Sequence, residues 1–318
     1  MTGAVFNGTS DFVVTNGSTT GPARFIFATE DGTIAAWNSG TQATLTVDNN
    51  NFSTGRVFKG LAIGSSSGSN YLYATDFRGG AVRVYDKNYA PATLPGSFAD
   101  ANLPAGFAPF GIANIGDRLY VTYALQNGSK HDDVAGPGNG YVDVFDTSGN
   151  LIRRLASQSS LNSPWGLALA PCTFGDAAGD LLVGNFGDGR INVINPAFGG
   201  IVGMLDDSSG KEISVSGLWG LAFGNGGTGG DPRTLYFTAG INHESDGLFG
   251  ALATNNPSAC PSPNAGAGTN PPGLPKSGLR SLTDLSGLPG SWPWLAVLLL
   301  VGGPLHYAWS TLRRRRSL

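Results

Sequence analysis

The chain has 318 residues, 49 of them glycine, with 13% charged residues and a formal net charge of −3. Residues 1–255 carry 13 Lys or Arg against 21 Asp or Glu, a difference of −8. This body lacks the basic footprint that phosphate binding needs, which excludes nucleic acid as its partner. Glycines scattered among runs of Val, Ile, Leu, Phe and Tyr favour short strands and tight turns, and nothing before residue 290 keeps a helical period.

In chain order, Thr2–Asn7 reads as the end of an earlier repeat. A unit then recurs: FIFATEDGTIAAWN (Phe25–Asn38), YLYATDFRGGAVRVYD (Tyr71–Asp86), RLYVTYA…GYVDVFD (Arg118–Asp146), DLLVGNFGDGRINVIN (Asp180–Asn195) and a looser TLYFTAG…GLFGAL (Thr234–Leu252). The later copies follow an apolar strand centred on Gly60, Gly111, Gly166 or Gly220, and these glycines lie 51, 55 and 54 residues apart. That period is the size of one four-stranded blade, and a glycine inside an apolar strand marks close backbone approach. The expected fold is an all-β propeller. Five blades (about 11–52, 55–103, 107–158, 162–212 and 215–252) are encoded here of a ring of six. The second strands read as apolar throughout. The third strands alternate, with Val82, Val142 and Ile191 on one face and Arg83, Asp143 and Asn192 on the other. Trp37, Trp165 and Trp219 read as anchors between blades.

Residues just past the second strands (Glu30, Asp76, Tyr123, Asn185 and Ala239) are expected to ring one mouth of the channel. Glu30, Asp76 and Asn185 can supply oxygen ligands to a hard cation such as Ca²⁺, with Asp31 and Asp188 beside them. The alternative is that each acid or amide closes a hairpin as an Asx-turn. Blade three carries a long insertion, ALQNGSKHDDVAGPGNG, with His131, Asp132 and Asp133 together, enough for a metal site or a general base, or a solvated loop. NHES (Asn242–Ser245) places His243 and Glu244 in the matching loop of the last copy. Nucleophile-elbow, zinc-protease, phosphate-loop and dinucleotide fingerprints are all missing from the sequence.

Residues 1–254 therefore read as the propeller and residues 255–291 as a Pro/Gly/Ser-rich linker. Residues 292–318 read as a membrane-crossing and sorting helix: WPWLAVLLLVGGPLHYAWSTL, aromatic at both ends, followed by RRRR. The arginines belong on the cytoplasmic side, which sets the propeller outside. MTGAVFNGTSDFVV lacks an export signal, so the natural chain is expected to start upstream. Cys172 and Cys260 are open to pairing or to remaining free thiols.

The motifs ARFIFATEDGTIAAWN, GLAIG…YLYATDFRGG, KHDDVAGPGNGYVDVFD, NSPWGLALAP, GDLLVGNFGDGRIN and GLWGLAFGNGGTGGDPRTLYFTAG resemble an exported bacterial family of NHL-like propellers with C-terminal sorting tails, over about residues 3–252. The tail is similar to exosortase-type signals, with Leu288-Pro289-Gly290 where a short motif belongs. The resemblance implies export, a signal peptide and one more blade, and a sorting enzyme as partner. It brings no activity. The first functional expectation is a surface-directed module of the cell envelope or extracellular matrix that binds a glycan or protein. The second is a metal-dependent, lactonase-like hydrolase at the channel mouth.

Overall fold

The computed structural model describes residues 1–50, 55–255, 257, 260 and 279–282. The first sheet begins with β1 (Gly3–Phe6). A two-stranded hairpin, β2 (Val13–Asn16) and β3 (Thr19–Pro22), then intervenes. The sheet resumes with β4 (Phe25–Ala28), β5 (Thr33–Trp37) and β6 (Thr44–Asp48), in the order β1-β4-β5-β6. Blade two is β7 (Phe58–Ser66), β8 (Ser69–Asp76), β9 (Ala81–Tyr85) and β10 (Pro91–Ala92). Blade three is β11 (Phe107–Ile115), β12 (Arg118–Leu125), β13 (Gly140–Asp146) and β14 (Leu151–Ser157). Blade four is β15 (Pro164–Leu169), β16 (Leu181–Asn185), β17 (Ile191–Ile194) and β18 (Ile201–Met204). Blade five is β19 (Leu218–Phe223), β20 (Thr234–Gly240), β21 (Asp246–Thr254) and β22 (Leu279–Leu282). Each of the five blade sheets is four-stranded and antiparallel, so the chain is an all-β propeller of five blades.

Two boundaries differ from the sequence reading. Thr2–Asn7 is no relic of an earlier blade: β1 is the innermost strand of blade one, and a Cβ on Gly3 would lie 2.7 Å from the Leu61 nitrogen. Gly3 thus heads the glycine series, hidden because the β2–β3 hairpin separates it from its repeat. The fourth strand of blade five comes from Leu279–Leu282, inside the stretch read as linker. Four residues are too few to show a period against a Pro/Gly background. Cys260, also in that stretch, is disulfide-bonded to Cys172 in the loop before β16, across 88 residues. No helix among the described residues is long and apolar enough to cross a membrane. The predicted span at 292–312 lies outside them.

Why the blades stack is visible at the inner strands. At each later one the ladder slips by a bulge beside its glycine (Phe58/Gly60, Pro109/Ile112, Pro164/Gly166, Leu218/Leu221). The freed amide is caught by a threonine of the second strand: Gly60 N–H donates to Thr75 Oγ1 at 2.7 Å and Gly111 N–H to Thr122 Oγ1 at 2.8 Å. Thr75 then donates to the Phe110 carbonyl of the next blade at 2.7 Å. A side chain at these glycines would strike that neighbour. A Cβ on Gly111 would come 2.1 Å from the Trp165 carbonyl oxygen.

Four apolar cores fill the four blade junctions. Ile26, Ile34 and Ala36 meet Leu61, Leu72 and Tyr85 between blades one and two. Ala62, Tyr73 and Val84 meet Leu119, Val121 and Phe145 between two and three. Tyr120, Val142 and Val144 meet Leu167, Leu181 and Val183 between three and four. Leu182, Ile191 and Val193 meet Leu218, Leu235 and Phe237 between four and five. Among the described residues no such core joins blade five to blade one. The third strands are more buried than their alternation suggested. Asp143 and Asn192 are fully buried, Asp143 on Arg154 Nε at 2.8 Å and Asn192 on the Asn185 amide oxygen at 3.1 Å.

Candidate functional site at the channel mouth

A fifth cluster sits at the hub. The residue preceding each inner-strand glycine is, in turn, Thr2, Lys59, Phe110, Trp165 and Trp219. Blades that are not neighbours touch through these side chains: Trp165 Nε1–H donates to the Lys59 carbonyl at 2.9 Å, and Phe110 and Trp219 lie 6.0 Å apart between ring centres. Such contacts cross the central channel. Phe77 and Phe186, at the starts of two hairpins, close the cluster, Phe77 against Phe110 at 5.2 Å and Phe186 against Trp219 at 4.7 Å. Phe77 and Phe110 are fully buried, whereas Trp165, Phe186 and Trp219 are part-exposed. Trp165 and Trp219 do link blades, edge to face at 5.2 Å between blades four and five, but they do so at the hub. Trp37 stands apart, on the uncovered face of blade one beside Phe25.

One lysine lies in this aromatic setting. Lys59 is 3% exposed, with its ammonium 5.9 and 6.0 Å over the Phe77 and Phe110 rings. It is ion-paired to Glu30 and lies 3.6 Å from Asp132 Oδ1. A buried ammonium is costly unless its charge is answered, and two carboxylates plus two ring faces answer it here.

Asp132 arrives on the inserted loop of blade three. That loop is folded back by a bridge between Gln126 and Asp133, by Val134 N–H donating to the Leu125 carbonyl at 2.8 Å, and by the Gln126 side-chain amide bonding the Phe77 carbonyl. His131 Nδ1 and Asp132 Oδ1 are 2.7 Å apart. Burial pushes the Asp132 carboxyl up, but the His131 hydrogen bond and the Lys59 charge outweigh it and hold it below its ordinary value. Asp133 goes the other way: burial raises it, with the Ser163 hydroxyl and Lys59 offsetting this in part. Ser163, just before Pro164-Trp165, is fully buried at a positive φ of 47°, and its hydroxyl makes no hydrogen bond of normal geometry. Glu244 completes the rim, accepting from Trp219 Nε1–H at 3.2 Å.

The structure thus brings Glu30, His131, Asp132 and Asp133 together around Lys59, with Glu244 beside Trp219. Asp76 and Asn185 lie elsewhere in their blades. Asp76 is buried and spent on its own hairpin: Oδ1 accepts from Gly79 N–H at 2.9 Å and Oδ2 from Arg83 Nε–H at 2.9 Å. Asn185 is fully buried and bonds Asn162 N–H, the Ser160 carbonyl and Asp188 Oδ1. Asp76 thus takes the hairpin-closing role of the Asx alternative, whereas the Asn185 side chain ties its strand end to Ser160 and Asn162 in the loop before β15. Asp188 also accepts from Arg190 N–H at 3.1 Å, and Asp31 is exposed. His243 is exposed at a positive φ of 56°, and no hydrogen bond or ion pair among the described residues links it to His131. Among those residues no three His, Cys, Asp or Glu side chains gather as a metal cage. The hub residues were legible in the sequence as the position before each inner-strand glycine.

No family model matches the chain. An uncharacterised protein of Acanthamoeba polyphaga mimivirus is 34% identical over 259 residues, which is 79% of this chain and 62% of that protein. A second uncharacterised mimivirus protein is 33% identical over 254 residues, 77% of this chain and 46% of that one. The chain thus spans about half the length of the curated relatives it matches. Among solved structures, it is similar to a gluconolactonase of Xanthomonas campestris (15% identity, TM-score 0.48, covering 73% of this chain and 69% of that one). It is also similar to a streptogramin B lyase (13%, TM-score 0.45, covering 82% and 74%).

Proposed function

We propose that the protein is an exported, surface-directed propeller that binds a glycan or protein of the cell envelope or extracellular matrix at its channel mouth, without catalysing a reaction. The observation that carries this reading is the hub itself. Part-exposed Trp165, Phe186 and Trp219 are ringed by Glu30, Asp132, Asp133 and Glu244, an apolar platform with a few convergent polar groups. The Cys172–Cys260 disulfide supports an oxidising compartment, as export requires. In this reading the run at 292–312 and its arginines are the anchor and sorting tail, handled by a sorting enzyme.

The same reading takes the ring as one of six blades. Two uncovered sheet faces support it. On blade five, Ala222 and Thr238 are exposed, although Gly220 N–H meets Thr238 Oγ1 at 3.0 Å in the pattern that elsewhere receives a following blade. On blade one, Phe6 is 63% exposed, with Phe25, Phe27 and Trp37 part-exposed beside it. A sixth blade would bury both.

A lactonase-like hydrolase is the competing reading, favoured by the His131–Asp132 pair alone. The test pulls envelope polysaccharide and surface protein from solution with the full chain and with Trp219→Ala, alongside lactone turnover with added Ca²⁺. Retention that Trp219→Ala abolishes, with no turnover, supports the binding reading. Turnover that Asp132→Asn abolishes sinks it.

A further inference from the structure

Charge and aromatic surface at the mouth are out of balance, and the imbalance selects a ligand. Glu30 and Asp132 flank the one buried cation, Lys59, and Asp133 lies near enough to feel its charge, so Lys59 is already answered, while Glu244 stands apart from it on Trp219. Aromatic surface is in excess: Phe77 and Phe110 attend Lys59, while the part-exposed rings of Phe186 and Trp219, 4.7 Å apart, attend no cation among the described residues. Glu244, exposed, has its hydrogen bond to Trp219 Nε1–H and no ion pair among the described residues. Lys59 displays the chemistry the site offers: an ammonium held over ring faces and between carboxylates.

We infer that the channel mouth recognises a polysaccharide with free amino groups, its ammonium set between Glu244 and the Trp219 face and its sugar ring stacked on Trp219 and Phe186. The inference rests on the mouth being the docking site and adds the ligand's class. An indole offers a broad flat apolar face for a pyranose, while the carboxylate and the ring quadrupole together answer one positive charge. Neutral glycans would leave Glu244 without a counter-charge, and anionic ones would be repelled by the rim.

The experiment is calorimetric titration of the full chain with a glucosamine tetramer, its fully N-acetylated counterpart, and tetralysine. The glucosamine tetramer is expected to bind about 10-fold more tightly than the acetylated one, the scale of one well-placed cation–π and ionic contact. Trp219→Ala and Glu244→Gln should each weaken it by about 5-fold or more, the exposed Glu244→Gln without change in Tm. Equal binding of the acetylated tetramer that is still lost in Trp219→Ala would overturn the amine while leaving the docking site intact. Equal binding of tetralysine would overturn the sugar. Absence of glucosamine binding, or binding indifferent to both substitutions, would overturn the inference altogether.

Discussion

The junction between blades two and three and the free faces of blades five and one are built from the same parts, yet one is closed and the other bare. At the junction, Gly60 and Thr75 pass a hydrogen bond to the Phe110 carbonyl, and Ala62 and Tyr73 lie under Val121 and Phe145. On blade five, Gly220 and Thr238 form the first bond of that relay, and among the described residues nothing receives the second. On blade one the aromatic side chains Phe6, Phe25 and Phe27 pack on one another in place of a neighbour. The lesson is that the blade is a unit complete within its own plane and incomplete across it. Its ladder hydrogen bonds are met by its own strands, while its apolar burial depends on the sheets on either side.

The contrast breaks most clearly at Gly111. Gly111→Val would drive side-chain carbon into the Trp165 carbonyl and should cost about 3 kcal/mol or more, read as loss of the cooperative thermal transition. Next in size is Arg154→Ala, on the closed side of blade three. It leaves Asp100 and the fully buried Asp143 without their shared guanidinium, and breaking such a pair costs about 3–5 kcal/mol by denaturant unfolding.

A smaller, pH-dependent effect belongs to the loop that packs into the junction of blades four and five. Burial raises the Asp180 carboxyl above its ordinary value. The folded state therefore favours the protonated acid, and stability is lost as pH rises from the unfolded value of about 4 through the raised one. Asp180→Asn should melt above the parent protein at pH 7, and the gap should close at pH 3. The smallest effects are expected on the bare faces: Gly220→Ala and Phe6→Ser should each change unfolding free energy by less than about 0.5 kcal/mol. Should Gly220→Ala cost as much as Gly111→Ala, the bare face is covered in solution and the contrast fails.

Much of the fold could be read in advance because blade period and inner-strand glycine are both local signals. Gly60, Gly111, Gly166 and Gly220 each mark a close approach that a short window shows. Gly3 was missed because a hairpin of its own stands between β1 and β4, and β22 because four residues in a Pro/Gly-rich stretch have no period. The mouth was half legible. His131 and Asp132 stood out on their long loop, and Glu30 as an acid past a strand, but Lys59 read as a strand residue and its two carboxylates come from separate blades. Asp76 and Asn185 carried the right chemistry in the right register. The Asp76 side chain turns into its hairpin, where the Gly79 amide needs an acceptor, and the Asn185 side chain turns to the Asn162 amide in the loop before β15.

The Cys172–Cys260 link gives the molecule a mechanical character. Tension applied downstream of β22 would first unzip it from β21, a peel that breaks one rung at a time. The load would next meet Cys260, whose disulfide passes it to the loop before β16 in blade four. Such a pull would therefore surrender one edge strand before it loads the strand pairings of the earlier blades.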